Sequence, residues 1–502
     1  MISLLVKETL YINEVILGTA FGVLIGPYGF NAFDPRSWGT QQDEITREVM
    51  RLILVSGLFA AGIELPRAYM KEHAKGLLIM VVPTMAFGWF VVAVILCVLF
   101  PQLHQSSALC IAACLTPTDP ITCVAITRGK FAEKHVPEPI RDILTAEAAA
   151  NDGLAYPFLG ISMYLLVDTV GVAIGKGFVI GWLYEVLFGS FLGSIIGLLF
   201  SKLMKLSHGK DFVDRESYIA QYLALAILTT GITSSLGADD LLASFAAGNL
   251  DEKAWRRANS LDIPGCAVAW DGHFKEQTQT EGDTFASVID CILNCCCFIY
   301  IGAWLPFSSY NSAELGITPW RLVVLMIGIL LFRRIPPLLL LYRFVPEISS
   351  WKEALFSGHF GPMGVSAVFV STMARTRLPL PAGSPENQQQ MLAATIEPIV
   401  SFVVLGSIIV HGLSIPFFNV GKVFARSVSI TSLSNRGVDD LEASGKTKGS
   451  SNGGLVVLDN SGVWPPPVTT SRERAATCRD PADGGMTVSV GRTKVDNVSK
   501  FS

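Results

Sequence analysis

Apolar stretches close to the roughly 20 residues a helix needs to cross a bilayer recur along this chain from near residue 10 to near residue 420, separated by short polar breaks. They predict membrane helices over about 10–33, 50–66, 76–100, 106–127, 140–166, 178–204, 217–236, 239–249 continued by 267–274, 284–306, 319–342, 353–374 and 391–420, so about twelve crossings. The connections alternate in charge. Arg67, Lys71 and Lys75 follow the second segment, Arg128, Lys130, Lys134 and Arg141 the fourth, and Lys202, Lys205, Lys210 and Arg215 the sixth, whereas the connections near Pro101 and Asp168 are nearly free of basic residues. By the positive-inside rule the basic loops face the cytoplasm, and counting onward places the C-terminus there too.

Two regions depart from the pattern. Leu250–Cys266 is polar and rich in charge, and its flanks Leu241–Gly248 and Ala267–Trp270 would fuse into one helix of spanning length without it. It reads as an insertion, either a retained intron or an unusual loop. Beyond Phe424 the chain turns to Ser, Thr, Gly, Pro and scattered charge, the composition of a disordered tail. The expected division is therefore an all-α membrane domain over 1–424, interrupted at 250–266, and a cytoplasmic tail over 425–502.

Composition sharpens the class. Half of the residues are hydrophobic and 16% are charged, too apolar for a soluble chain. The net charge of −4, with no long basic run, argues against a nucleic-acid partner. Cys97, Cys110, Cys114, Cys123, Cys291 and Cys295–Cys297 sit inside apolar segments without zinc or disulfide spacing, so they read as reduced packing residues. No Walker-type glycine loop is present, and neither an ATP site nor a cofactor is expected.

Ionisable residues at membrane depth are costly and mark function. Thr118 and Asp119 lie between Pro117 and Pro120 in the middle of an apolar segment. Prolines remove backbone donors and free carbonyls, which together with a hydroxyl and a carboxylate suit a hard cation such as Na+. A plain kink capped by Asp119 is the alternative. In the next segment Glu147 and Asn151 share a helix face, with Asp152 turned about 100° away; a water-exposed helix end is the alternative there. Arg333 and Arg334 sit inside a further apolar segment. A buried guanidinium needs a carboxylate, for which Glu147 is the candidate, while one of the two arginines is expected to snorkel to the surface. His359, Gly361 and Pro362 interrupt the segment seven places after the one holding Asp119, as two broken helices of an inverted repeat do. His359 itself reads as a packed side chain rather than a pH sensor.

With these residues the chain resembles the fungal plasma-membrane Na+/H+ antiporters, a branch of the monovalent cation/proton antiporter superfamily. The resemblance spans about 4–420. It rests on Gly62–Pro66, Thr118–Pro120, Ala146–Glu147 with Asn151–Gly153, Asp214–Ser217, Asp239–Leu242, Ser244–Gly248, Arg333–Pro336 and Gly358–Pro362. It implies an inverted-repeat fold with two crossed unwound helices and thirteen helices in the family, one of them ahead of the first seen here. It also implies a homodimer in the plasma membrane that exports Na+, with Li+ or K+ as alternatives, against H+, for salt tolerance and for cation and pH homeostasis. Asp152 then corresponds to the cation- or proton-binding carboxylate, and Asn151, Thr118 and Asp119 line the same site. Glu147 corresponds to the partner of an arginine, preferably Arg334, and Glu64, Asp239 and Asp240 match further acidic positions. The family's usual Ser after the motif glutamate is Ala148 here, which removes one hydroxyl ligand. Rival classes are an intramembrane aspartyl protease using two aspartates and a non-transporting sensor or scaffold.

Overall fold

The computed structural model describes residues 14–66, 69–127, 130–208, 215–248 and 283–414. The stretches 250–266 and 425–502, read above as an insertion and a tail, lie outside the described residues, as does the side chain of Glu64. Among the described residues the chain is helical, and the only ladder pairing is a single bridge between Ser312 and Ile317.

In chain order the helices used below are α1 (Glu14–Ile25), α2 (Gln42–Glu64), α3 (Ala74–Leu99), α4 (Gln105–Cys114), α5 (Pro120–Thr127), α6 (Glu138–Gly153) and α7 (Ala155–Val167). Val170–Lys176, a π-helical Gly177–Phe188 and Gly189–His208 follow one another as α8. Then come α9 (Arg215–Ser235), α10 (Asp240–Gly248), α11 (Asp283–Trp304), α12 (Pro319–Phe332), α13 (Ile335–Leu341), α14 (Trp351–His359) and α15 (Val365–Arg375), with α16 over Gln388–Ser414.

Among the described residues four spans are long and apolar enough to cross a membrane: Ala74–Leu99, Val170–Leu203, Gln388–Ser414 and Pro319–Phe344, the last assembled from α12 and α13. Several expected segments are built from paired pieces, among them α4 with α5, α12 with α13, and α14 with α15. The breaks fall at Pro117 and Pro120, at Arg333–Arg334 before Pro336, and at Gly361–Gly364, where donors are missing or side chains absent.

The outer faces are apolar. Phe87, Phe90, Val94 and Val98 of α3, and Phe178, Val179, Leu183, Leu187 and Phe191 of α8, are exposed, a surface stable only against lipid. In lipid no hydrophobic drive separates helix faces from their solvent, so close packing through small residues holds helices together. Gly189, Gly193 and Gly197 of α8 recur every four residues and face Asp239, Ala243 and Ala247 across the contact with α10; a Cβ on Gly193 would lie 2.1 Å from the Ala243 carbonyl oxygen. Gly22 of α1 and Gly302 of α11 do the same, each placing a hypothetical Cβ within 2.2 Å of a carbonyl oxygen of the other helix. Inside α3, Pro83 leaves the Ile79 carbonyl without its helical donor, and the Thr84 hydroxyl donates to that carbonyl at 3.1 Å.

An ion-pair network ties the α1–α2 connection to α15 and α16. Arg36 donates to Glu397 at 2.6 Å and to the Trp304 carbonyl at 3.0 Å. Arg375 pairs with Glu397 and, at 3.2 Å, with Asp43.

The α8–α10 ladder predicts that Gly193→Val lowers the stability of the detergent-solubilised protein by about 1–3 kcal/mol, read as a lower thermal midpoint. Gly171→Val, where a Cβ meets nothing within 4 Å, should leave that midpoint unchanged.

Candidate functional site

The break between α4 and α5 follows from its two prolines. Pro117 cannot donate to the Ala113 carbonyl and Pro120 cannot donate to that of Thr116. Each orphan finds another donor: the Thr116 hydroxyl reaches Ala113 at 2.8 Å, and Arg333 Nη1 reaches Thr116 at 3.2 Å. The same Nη1 also donates to Leu115 at 2.6 Å and to Pro117 at 3.2 Å, while Nη2 donates to the Gly361 carbonyl in the other broken helix. Arg333 therefore meets carbonyls of both interruptions rather than a carboxylate.

The two interruptions touch directly. The Asp119 amide donates to the Pro362 carbonyl at 2.8 Å, and Met363 N–H is taken by Ser407 of α16 at 2.8 Å. Gly364 permits the approach, because a Cβ there would fall 2.3 Å from Asp119 Oδ2. Gly361 permits the other, since its Cβ would fall 2.5 Å from Arg334 Cδ.

Arg334 donates through both terminal nitrogens to Glu147, to Oε2 at 2.6 Å. Its Nε holds the Ser357 carbonyl at 3.0 Å, and Nη1 reaches the Thr118 hydroxyl at 3.1 Å. Asn151 completes the frame by donating to Glu147 Oε1 at 2.9 Å and accepting from Thr118 N–H at 2.9 Å. Both arginines are buried. The expectation that one would snorkel fails, because the carbonyls freed at the two breaks replace the water it would have sought.

Asp119 and Asp152 are fully buried in a different way. Asp119 Oδ2 accepts from Thr122 N–H at 3.0 Å and from the Thr122 hydroxyl, capping α5, while Oδ1 has no partner. Asp119 is thus a cap and carries a free oxygen as well. Neither carboxylate oxygen of Asp152 has a hydrogen-bond partner. The Ser366 hydroxyl lies beside it and is equally unpartnered; Asp119, Glu147 and Asp239 are the carboxylates that bear on it. Glu147, Asn151 and Asp152 are all buried, so the water-exposed helix end is excluded for this motif.

Asp239 and Asp240 begin α10. Asp239 Oδ1 accepts from Leu242 N–H at 2.9 Å; Oδ2 is unpartnered and comes within 2.8 Å of where a Cβ on Gly153 would sit. Asp240 accepts from the Tyr156 hydroxyl at 2.6 Å and pairs with Arg51 at 3.2 Å. Thr122, Ser366, Ser357, Tyr156 and Arg51 were not singled out from the sequence. Only Thr122 carried a signal there, three residues after an Asp–Pro helix start.

A small recess of about 10 Å³ opens onto the arginines, lined by Thr84, Met85 and Gly88 of α3 together with Thr116, Glu147, Arg333 and Arg334. His359 is packed, with Nε2 at 3.1 Å from the Ser414 hydroxyl. Among the described residues no group of three or more His, Cys, Asp or Glu side chains is set to hold a metal.

The profile described as "Sodium/hydrogen exchanger, transmembrane" matches residues 1–420. A probable Na+/H+ antiporter of Schizosaccharomyces pombe is 42% identical over 84% of this chain and 54% of its own length. A Na+/H+ antiporter of Saccharomyces cerevisiae is 40% identical over 84% of this chain and 42% of its own length, so the chain spans about half the length of these relatives. A further Na+/H+ antiporter of S. pombe is 36% identical over 82% of this chain and 85% of its own length. The sodium proton antiporter MjNhaP1 of Methanocaldococcus jannaschii superposes with a TM-score of 0.59 at 16% identity, covering 82% of this chain and 95% of that one, a likeness of fold.

Removing one partner of a buried ion pair strands the other, at a cost of about 3–5 kcal/mol. Glu147→Gln and Arg334→Gln should each lower thermal stability by that order, and the double variant should lose less than the sum, which a double-mutant cycle measures.

Proposed function

The chain belongs to the sodium/hydrogen exchanger family, and on that premise we propose that it exchanges Na+ for H+ across the membrane as a secondary antiporter, with Asp152 as the carboxylate that holds either ion. One observation carries the reading: buried carboxylates outnumber buried cations at the crossing. Asp119, Glu147 and Asp152 are buried there with Arg333 and Arg334, three acids against two bases, with buried Asp239 beside Gly153, and the Asp152 oxygens are unpartnered. Uncompensated charge inside a dry protein is costly, so the site calls for a proton or a cation. Asp152, the free oxygen of Asp119 and the Ser366 hydroxyl offer hard oxygen ligands suited to Na+ as it sheds water. Ser366 supplies the kind of group that Ala148 lacks.

Thr118 and Asn151 act differently from the cation ligands first suggested by their position. Their polar atoms are engaged with Arg334 and Glu147, so they hold the unwound backbone at Thr118 against α6 and keep the neighbouring Asp119 in place. Glu147 and Arg334 form the structural pair, and Arg333 clamps both breaks.

Coupling follows from electrostatics. Moving an uncompensated carboxylate across the apolar middle of the protein is unfavourable, so the bundle carrying Asp152 shifts only when a proton or a cation occupies it. Each ion displaces the other, and a proton gradient drives Na+ outward without ATP. Li+ and K+ differ from Na+ in size and dehydration and are the further candidate cargoes. The same proposal places residues 1–424 as the exchanger and 425–502 as a cytoplasmic tail, in a plasma-membrane homodimer serving salt tolerance.

In proteoliposomes carrying an internal acid gradient, adding Na+ should dissipate that gradient for the unmutated chain. Asp152→Asn should abolish the response, and Asp119→Asn should reduce it at least about tenfold, the equivalent of 1.4 kcal/mol. Full exchange by Asp152→Asn would refute the assignment.

A further inference from the structure

A chain of acidic side chains leads from the surface to Asp152, and a cation sits across it. Glu48 on α2 is 46% exposed at its side chain, Arg51 one turn on is 18% exposed, and Asp240 at the start of α10 is 2% exposed. Asp239 follows, with its unpartnered oxygen directed at Gly153, the neighbour of Asp152. Exposure falls and hydrogen-bond satisfaction fails along the same line, which is the arrangement of a cation approach rather than of a packed core.

Arg51 spans the line. It pairs with Glu48 at 3.1 Å and with Asp240 at 3.2 Å, donates to the Ser234 hydroxyl at 3.2 Å and lies over the Phe369 ring at 5.7 Å. Its contact with Asp240 is a charge contact without aligned hydrogen bonding, the weaker and more easily exchanged kind. The groups around it come from several helices. Glu48 and Asp240 belong to α2 and α10, whereas Tyr156, which also binds Asp240, and Phe369 belong to α7 and α15, which flank the Asp152 motif and the second break.

We propose that Arg51 is a tethered cation that closes the approach to Asp152 from the Glu48 end and competes with the transported ion for Asp240. This rests on the exchange reading above. Arg51 is a positioning residue: it touches neither Asp152 nor the crossing, and acts by occupying the place on Asp240 that an incoming Na+ must take. By the loop charges this end of α2 faces outward, so the structure represents a state closed on that side.

The test is Na+/H+ exchange in oriented proteoliposomes, with Na+ supplied at one face or the other, for the parent, Arg51→Gln, Arg51→Met, Arg51→Lys and Asp152→Asn. Removing the competing charge should lower KM for Na+ about three- to tenfold at the Glu48 face alone, with kcat changing less than twofold. Arg51→Lys, which keeps a charge but loses the simultaneous contacts of a guanidinium, should fall between. Arg51→Met keeps the stem packed on Phe369 and decides the matter if the Gln variant does not fold. An unchanged or raised KM in both neutral variants, or an equal drop at both faces, overturns the proposal. Asp152→Asn separates the two levels: if it still exchanges, the exchange reading itself fails, whereas a dead Asp152→Asn beside an Arg51→Gln of unchanged KM removes only the gate.

Discussion

The crossing of two broken helices is held by one arginine that has no acidic partner. Arg333 reaches three consecutive carbonyls of the first break and one of the second, so the backbone groups that proline and glycine set free are satisfied in the absence of water. Unsatisfied backbone inside a membrane costs several kcal/mol per group, and without this clamp the interruptions would have to heal into helices or open to solvent. Arg334, next in the chain, fixes the crossing to α6 through Glu147, at the break where α12 ends and α13 begins.

That scaffold sets apart two kinds of buried polar group. Glu147, Asn151 and Thr118 are fully engaged with partners, so they define positions. Asp152, Ser366 and one oxygen of Asp119 are left without partners. A buried network is rigid when satisfied and costly when partly satisfied, and here both conditions stand side by side: a satisfied frame surrounds oxygens left without partners.

The small-residue contacts are of another type. Gly189, Gly193 and Gly197 along α8, and Gly22 against Gly302, bring backbones together without polar bonds. These surfaces tie α8 to α10 and α1 to α11, whereas Arg51, Asp240, Tyr156 and Phe369 add polar and ring contacts among α2, α10, α7 and α15. Backbone-close packing admits few alternative arrangements, while a charge contact without aligned hydrogen bonding is more easily exchanged.

Hydrophobic runs alone determined that the chain is a helical membrane protein, because the bilayer sets one length and one polarity for any crossing. Pro117, Pro120, Gly361 and Pro362 likewise announced where helices break, since missing donors and missing side chains act locally. Asp119, Glu147, Asp152, Arg333 and Arg334 stood out as charges in apolar surroundings for the same local reason. Their partners were not legible: that Arg333 binds carbonyls, that Asn151 is a brace, that Ser366 lies beside Asp152 and that Arg51 meets Asp240 depend on helices far apart in the chain. Residues such as Ser366, Tyr156 and Arg51 are unremarkable in sequence, being ordinary helix residues until packing desolvates them. Only the tertiary structure decides which polar atoms are left without a partner, because satisfaction of a buried group is a property of everything that surrounds it.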